Sequence, residues 1–180
     1  MLVTVLTKAR FLALALLVSA SLVLTAQPTE AQRRAPDFQA TDLEGRSLQL
    51  SSLKGCGVML YFFASWCPYC ERQTPSIVAA HQQLRARGVI VLGINVYDES
   101  EEDVRAFIAQ HGITFPTVMD RDESISAPYR ISGVPRVVLI SPRGTLSREI
   151  SGWSPQTDFV RLGRSIAGGK NCKVTTQQIP

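Results

Sequence analysis

The 180-residue chain is poor in metal-binding side chains, with two histidines and four cysteines. Of these, only Cys67 and Cys70 share a short motif. No second CxxC and no HxxxH supplies the other half of a zinc site, and Cys56, Cys172, His81 and His111 stand scattered, so no metal is expected. Flavin and nucleotide motifs are lacking, which leaves no cofactor to predict. Repeats and low-complexity segments are absent. So is a charge excess once the N-terminus is set aside: the whole chain carries +4, but starting the folded part at Ala35 leaves 15 basic against 14 acidic residues, or +1. A domain that near neutrality makes no case for nucleic acid.

What is present is enough for one domain with a real core, with 45% hydrophobic and 19% charged residues. Part of that apolar content is N-terminal. Phe11 to Ala26 carries no charge, Lys8 and Arg10 precede it, and small-residue sites follow at Ala26 and Ala31. Residues 1–31 read as a signal peptide or N-terminal membrane anchor, and the shortness of the run against a ~20-residue span favours the signal peptide. No cysteine follows closely enough to indicate a lipid anchor. Everything after the run is then periplasmic or otherwise extracytoplasmic, where oxidising conditions change what cysteines do. The polar, proline-bearing stretch that follows reads as a tether, with residues 32–36 as its linker to the domain. The domain is expected over 37–170, with a tail over 171–180.

From Asp37 the pattern is regular. Phe38–Thr41 and Ser47–Leu50 flank Glu44-Gly45 as a β-hairpin. Val58–Phe63 and Val89–Val96 are apolar runs of the kind buried on both faces of a mostly parallel sheet. Between them a helix starts at the CxxC, with Pro75 expected to kink or restart it and Gly88 to stop it. Ser100 opens a second helix through a capping-box pattern that ends at Gly112. Val137–Ile140 and Leu146–Ile150 bracket the turn Pro142-Arg143-Gly144, and Ser154-Pro155 would cap a last helix to about Ile166. The result is an α/β sandwich around a central sheet. His81 and His111 are read as ordinary surface or half-buried residues.

Cys67-Pro68-Tyr69-Cys70 follows the first buried strand and opens the first helix, at the strand end where open α/β sheets place their sites. A helix N-terminus presents unpaired N–H groups and a positive dipole end, which favour a thiolate sulfur there. Cys70, one turn on, has its Cβ ~5–6 Å from that of Cys67, within reach of a disulfide after modest adjustment. A purely structural bridge over so short a loop would stabilise little. The motif therefore points to dithiol–disulfide exchange.

Trp66-Cys67-Pro68-Tyr69-Cys70 after a buried strand, with Gly133-Val134-Pro135 some way downstream, resembles the thioredoxin fold. Ala35-Pro36-Asp37-Phe38, Asp42-Leu43-Glu44-Gly45, Leu53-Lys54-Gly55, Phe63-Ala64-Ser65, Phe115-Pro116 and Leu139-Ile140 with Gly144 narrow the resemblance to the exported TlpA/ResA/CcmG-like thioredoxins, over roughly Ala35 to Ala167. The resemblance implies a central mixed sheet flanked by helices, an N-terminal β-hairpin extension and a helical insertion. It implies that Cys67 attacks a substrate disulfide and Cys70 resolves the mixed disulfide. It further implies a cis Val134–Pro135 bond facing the cysteines, with the Val134 backbone pairing to an extended substrate and Trp66, Pro68 and Tyr69 completing the contact surface. Disulfides of exported proteins, apocytochrome c among them, would be the substrates, a membrane thiol–disulfide carrier the electron donor, and the working form a monomer.

Two positions depart from the family. The buried aspartate of thioredoxins is Tyr61 here, and the glutamate that many TlpA-like members carry three residues after the second cysteine is Gln73. Neither is a base near neutrality, so Gln73 is expected only to orient the site while Cys70 loses its proton to water or to Cys67. The Pro68-Tyr69 pair is that of glutaredoxins, at about −200 to −230 mV against about −270 mV for thioredoxin. Cys56 stands where related sequences carry lysine. In an oxidising compartment Cys56 and Cys172 most simply pair, with two free thiols or an intermolecular bond as alternatives. Other readings of the CxxC are a disulfide-forming oxidant and a non-enzymatic metal or haem carrier. A peroxidase of the peroxiredoxin type would need a Pro-x-x-x-Thr-x-x-Cys that the chain lacks.

Overall fold

Asp42 closes the first turn of the chain. Its carboxylate accepts from the Glu44 and Arg46 amides at 3.0 and 2.8 Å and from Arg46 Nε at 2.7 Å. This holds β1 (Gln39–Thr41) antiparallel to β2 (Ser47–Gln49), the expected hairpin with both strands trimmed. The computed structural model describes residues 33–98 and 100–173. Residues 1–31, expected to be a signal peptide or anchor, and the part of the expected tail beyond Lys173 lie outside the described residues. Among those described, no helix is long and apolar enough to cross a membrane.

The two apolar runs become β3 (Gly57–Phe63) and β4 (Val89–Asn95), parallel neighbours in which every residue is buried. β4 pairs in parallel with the short edge strand β5 (Thr117–Met119). On the other side β3 runs antiparallel to β6 (Arg136–Ile140), and β6 antiparallel to β7 (Leu146–Ser151). The five-stranded order is β5-β4-β3-β6-β7. Because strand side chains alternate faces, β3 feeds two separate cores. Met59, Tyr61 and Phe63 pack with the three helices α1 (Pro68–Leu84), α2 (Glu101–His111) and α3 (Phe159–Arg164). Val58, Leu60 and Phe62 pack beneath Phe38, Leu48, Leu53 and the Ile125–Ile131 segment. This is the α/β arrangement that the resemblance implied, with the insertion helix as α2.

Three expectations change. Pro75 does not restart α1, which runs continuously through it. The apolar and small residues Cys70, Thr74, Ile77, Ala80 and Leu84 stay in phase on the buried face across the proline, and that burial outweighs one missing backbone bond. The last helix begins at Phe159, not after Ser154. The Ser154 oxygens accept from Gln156 and Thr157 in a local turn, and Asp158 is the cap, accepting from the Arg161 amide at 2.9 Å. The linker, where described, is laid along the sheet: Arg34 bridges Thr145, and the Leu146 amide donates to the Arg33 carbonyl at 2.8 Å. The unpaired edge of β7 offers those backbone groups a partner.

At the N-terminal end of β3, Cys56 is bonded to Cys172. The chain packs backbone to backbone there. A Cβ on Gly57 would overlap the Ile166 carbonyl, and one on Gly168 would overlap that of Gly55, so only glycine permits this approach.

Candidate active site

Cys67 is the N-cap of α1. It keeps an extended backbone, φ −84° and ψ 113°, and its sulfur accepts from the Cys70 amide at 3.2 Å, while Pro68 occupies the first turn without needing an N–H partner. The Val134–Pro135 bond is cis, and the Cys67 thiol lies 3.7 Å from the Val134 carbonyl, to which it donates. Cys67 keeps 4% of its surface and Cys70 none, and neither is in a disulfide. The outer thiol thus faces the cis-proline turn and the inner one is sealed behind it.

The flanking aromatics are strongly exposed, Trp66 at 63% and Tyr69 at 54%. Both were expected at the contact surface. Tyr97 joins them at 44% exposure and was not expected. It adopts φ 68°, accepts from Trp66 Nε1 at 3.3 Å and donates to the Ile131 carbonyl at 3.3 Å. Its neighbour Asp98 was also missed. Its carboxylate accepts from the Ser65 amide and hydroxyl, each at 2.7 Å, and from Asn95 Nδ2 at 2.6 Å, fixing the turn that delivers the CxxC. The signal was available: Tyr97-Asp98 closely follows the second parallel strand, and the C-terminal ends of parallel neighbours lie side by side.

Behind the thiols, Tyr61 is fully buried. Its hydroxyl pairs with Thr74 Oγ1 at 2.9 Å and donates to the Cys70 carbonyl at 3.1 Å. Burial, and then the negative charge that Cys70 would carry, hold its phenol well above its usual range, so it stays a donor. Burial also pushes the Cys70 thiol far above the ordinary thiol range, and the hydrogen bond it shares with Cys67 adds to this. The inner sulfur is therefore a neutral thiol at pH 7. Gln73 is buried, not solvated, at 1% exposure, and neither its Oε1 nor its Nε2 has a partner. His81 is buried too, against the expectation of a surface or half-buried residue. Its ring meets Phe115 edge-on at 5.6 Å, and desolvation, then Arg85, lowers its pKa. An aromatic neighbour takes up the imidazole face that water was expected to cover. His111 is half-buried against Phe107. No cluster of metal-ligating side chains occurs among the described residues.

Residues 31–148 match the AhpC/TSA family, over more than half of the chain. The chain belongs to the AhpC/TSA family. Within this family it is similar to thiol-disulfide oxidoreductase ResA of Bacillus subtilis (strain 168), with 34% identity over 131 residues that cover 71% of this chain and 73% of that one. ResA of Geobacillus kaustophilus (strain HTA426) is 36% identical over 132 residues, covering 73% and 75%. Among solved structures, a thiol:disulfide interchange protein DsbE from Chlorobium tepidum superposes with a TM-score of 0.68 at 29% identity, covering 75% of this chain and 94% of that one. This AhpC/TSA member is accordingly a thioredoxin-like thiol–disulfide oxidoreductase.

Proposed function

We propose that the protein reduces disulfides of extracytoplasmic client proteins, with Cys67 as nucleophile and Cys70 as resolving thiol. The Cys67 thiolate attacks one client sulfur, the client disulfide breaks, and a Cys67–client disulfide forms as the other client sulfur leaves. Cys70 then attacks the Cys67 sulfur, closing the Cys67–Cys70 disulfide and releasing the second client thiolate. Two electrons pass to the client. The Cys70 proton reaches the departing thiolate through water, because Tyr61 is a donor, Gln73 is not an acid or base, and Glu71 points about 100° around the helix from Cys70. A membrane thiol–disulfide carrier returns the pair to the dithiol, and apocytochrome c is one client of suitable chemistry. The working unit is a monomer.

The observation that carries this reading is the inequality of the two thiols: Cys67 at the helix start, 3.7 Å from the Val134 carbonyl, and Cys70 closed off behind it. That order suits attack from outside followed by resolution from inside, with the Val134 backbone as the edge on which an extended client segment pairs. Trp66, Pro68, Tyr69 and Pro135 complete the contact. The decisive experiment is the Cys67/Cys70 reduction potential together with covalent capture of clients on Cys70→Ala. A value between about −200 and −270 mV with captured clients supports a reductase. A value near −120 mV makes the protein an oxidant.

A further inference from the structure

We propose that Arg72 selects client segments that carry an acidic side chain beside their disulfide. This rests on the reductase reading above and specifies its substrates. Arg72 lies in the second turn of α1, and its guanidinium carbon sits 5.7 Å from the centre of the Tyr69 ring and 5.6 Å from that of Trp153. Trp153 belongs to the loop after β7, where the Gly152 amide donates to the Pro135 carbonyl at 2.9 Å. The Tyr69–Arg72–Trp153 group therefore links the CxxC helix to the loop bonded to the cis-proline turn.

Two rings flank the guanidinium carbon, and among the described residues none of its N–H groups has a hydrogen-bond partner. Arg46, Arg105, Arg121 and Arg136 all have carboxylate partners. Among the described residues Arg72 has none, although it lies beside the reactive pair. Glu71 precedes it in sequence but points about 100° away on the helix. A stacked arginine is a rigid planar fork that matches a carboxylate through two N–H donors, and little side-chain freedom remains to be lost when one arrives. A client strand pairing with Val134 would run past the turn to which the Trp153 loop is bonded, with its side chains alternating in direction. The partner that fits is an extended segment with aspartate or glutamate near its cysteine.

The test uses the full-length protein and two peptides sharing one disulfide, one with glutamates flanking the attacked cysteine and one with glutamines. Each kcat/KM is divided by the same peptide's rate with dithiothreitol, which removes intrinsic reactivity. The wild-type protein should favour the glutamate peptide about fivefold at low salt, as a pinned exposed ion pair allows. The preference should shrink with added salt and fall to about one in Arg72→Gln. Equal reduction of both peptides by the wild type, or an unchanged preference in Arg72→Gln, overturns the proposal. If the wild type reduces neither peptide, the reductase reading itself fails.

Discussion

Strand β3 has a cysteine just beyond each end, and the two belong to pairs with opposite behaviour. Cys67 follows Phe63 and pairs with a residue three positions on. Cys56 precedes Gly57 and is bonded to Cys172, 116 residues away. A bond within the first pair would close a loop too short to restrain the unfolded chain, and this pair sits beside exposed aromatics. The second closes almost the whole domain into one ring, in a corner where only glycines let the backbones meet. Loop length and surroundings thus divide one chemistry into two tasks, exchange at one end of a strand and restraint at the other.

Substitution of the cysteines tests this division most strongly. Cys67→Ser should abolish reduction of a protein disulfide, a loss of about a thousandfold or more. The double variant Cys56→Ser with Cys172→Ser should keep turnover within about twofold at 25 °C. Its stability should fall by up to ~4.7 kcal/mol on the chain-entropy account of a loop that long, read from thermal or denaturant unfolding. Equal damage to activity from both sets would erase the distinction. A smaller effect is expected at Gln73. Gln73→Glu places a carboxylate in the buried space beside Cys70 and should speed resolution of a mixed disulfide near neutral pH by about tenfold, measured by quenched-flow trapping. An unchanged rate across pH would show that proton removal from Cys70 does not limit resolution. The smallest effect is on stability against pH. The folded state holds the Cys70 proton more tightly than the unfolded chain, so its contribution is fully present below pH ~8.5 and is lost as pH rises above that. The melting temperature of the reduced protein should therefore fall in alkali relative to the form with Cys67 and Cys70 bonded. Parallel curves for the two forms would contradict the burial argument.

Legibility from sequence followed how local the cause was. The runs that became β3 and β4 announce themselves because strands buried on both faces need apolar residues at every position. The cap at Ser100 and the stop at Gly112 act within a few residues. Pro75 misleads because its effect on α1 depends on what the helix packs against. The start of the last helix was misplaced because Ser154 and Asp158 are both good caps, and local hydrogen bonding of Ser154 to the Gln156 and Thr157 amides decides between them. In the site, Cys67, Cys70 and Pro135 are visible as a motif and a spacing. Asp98, Tyr97 and Trp153 become site residues only once strands and loops distant in sequence come together. The burial of Gln73 and His81 follows from the same assembly, since polar residues on a helix are ordinarily expected to face water.

The length of β3 has a consequence for fidelity. Seven extended residues span about 23 Å; β4 flanks all of them and β6 the five from Val58 to Phe62, so the strand acts as a stiff spacer between the two sulfur centres. With that spacer between them, the Cys67 sulfur is held away from Cys56 and Cys172 of its own chain. A thiol reagent that must live beside a permanent crosslink is thereby kept from scrambling it.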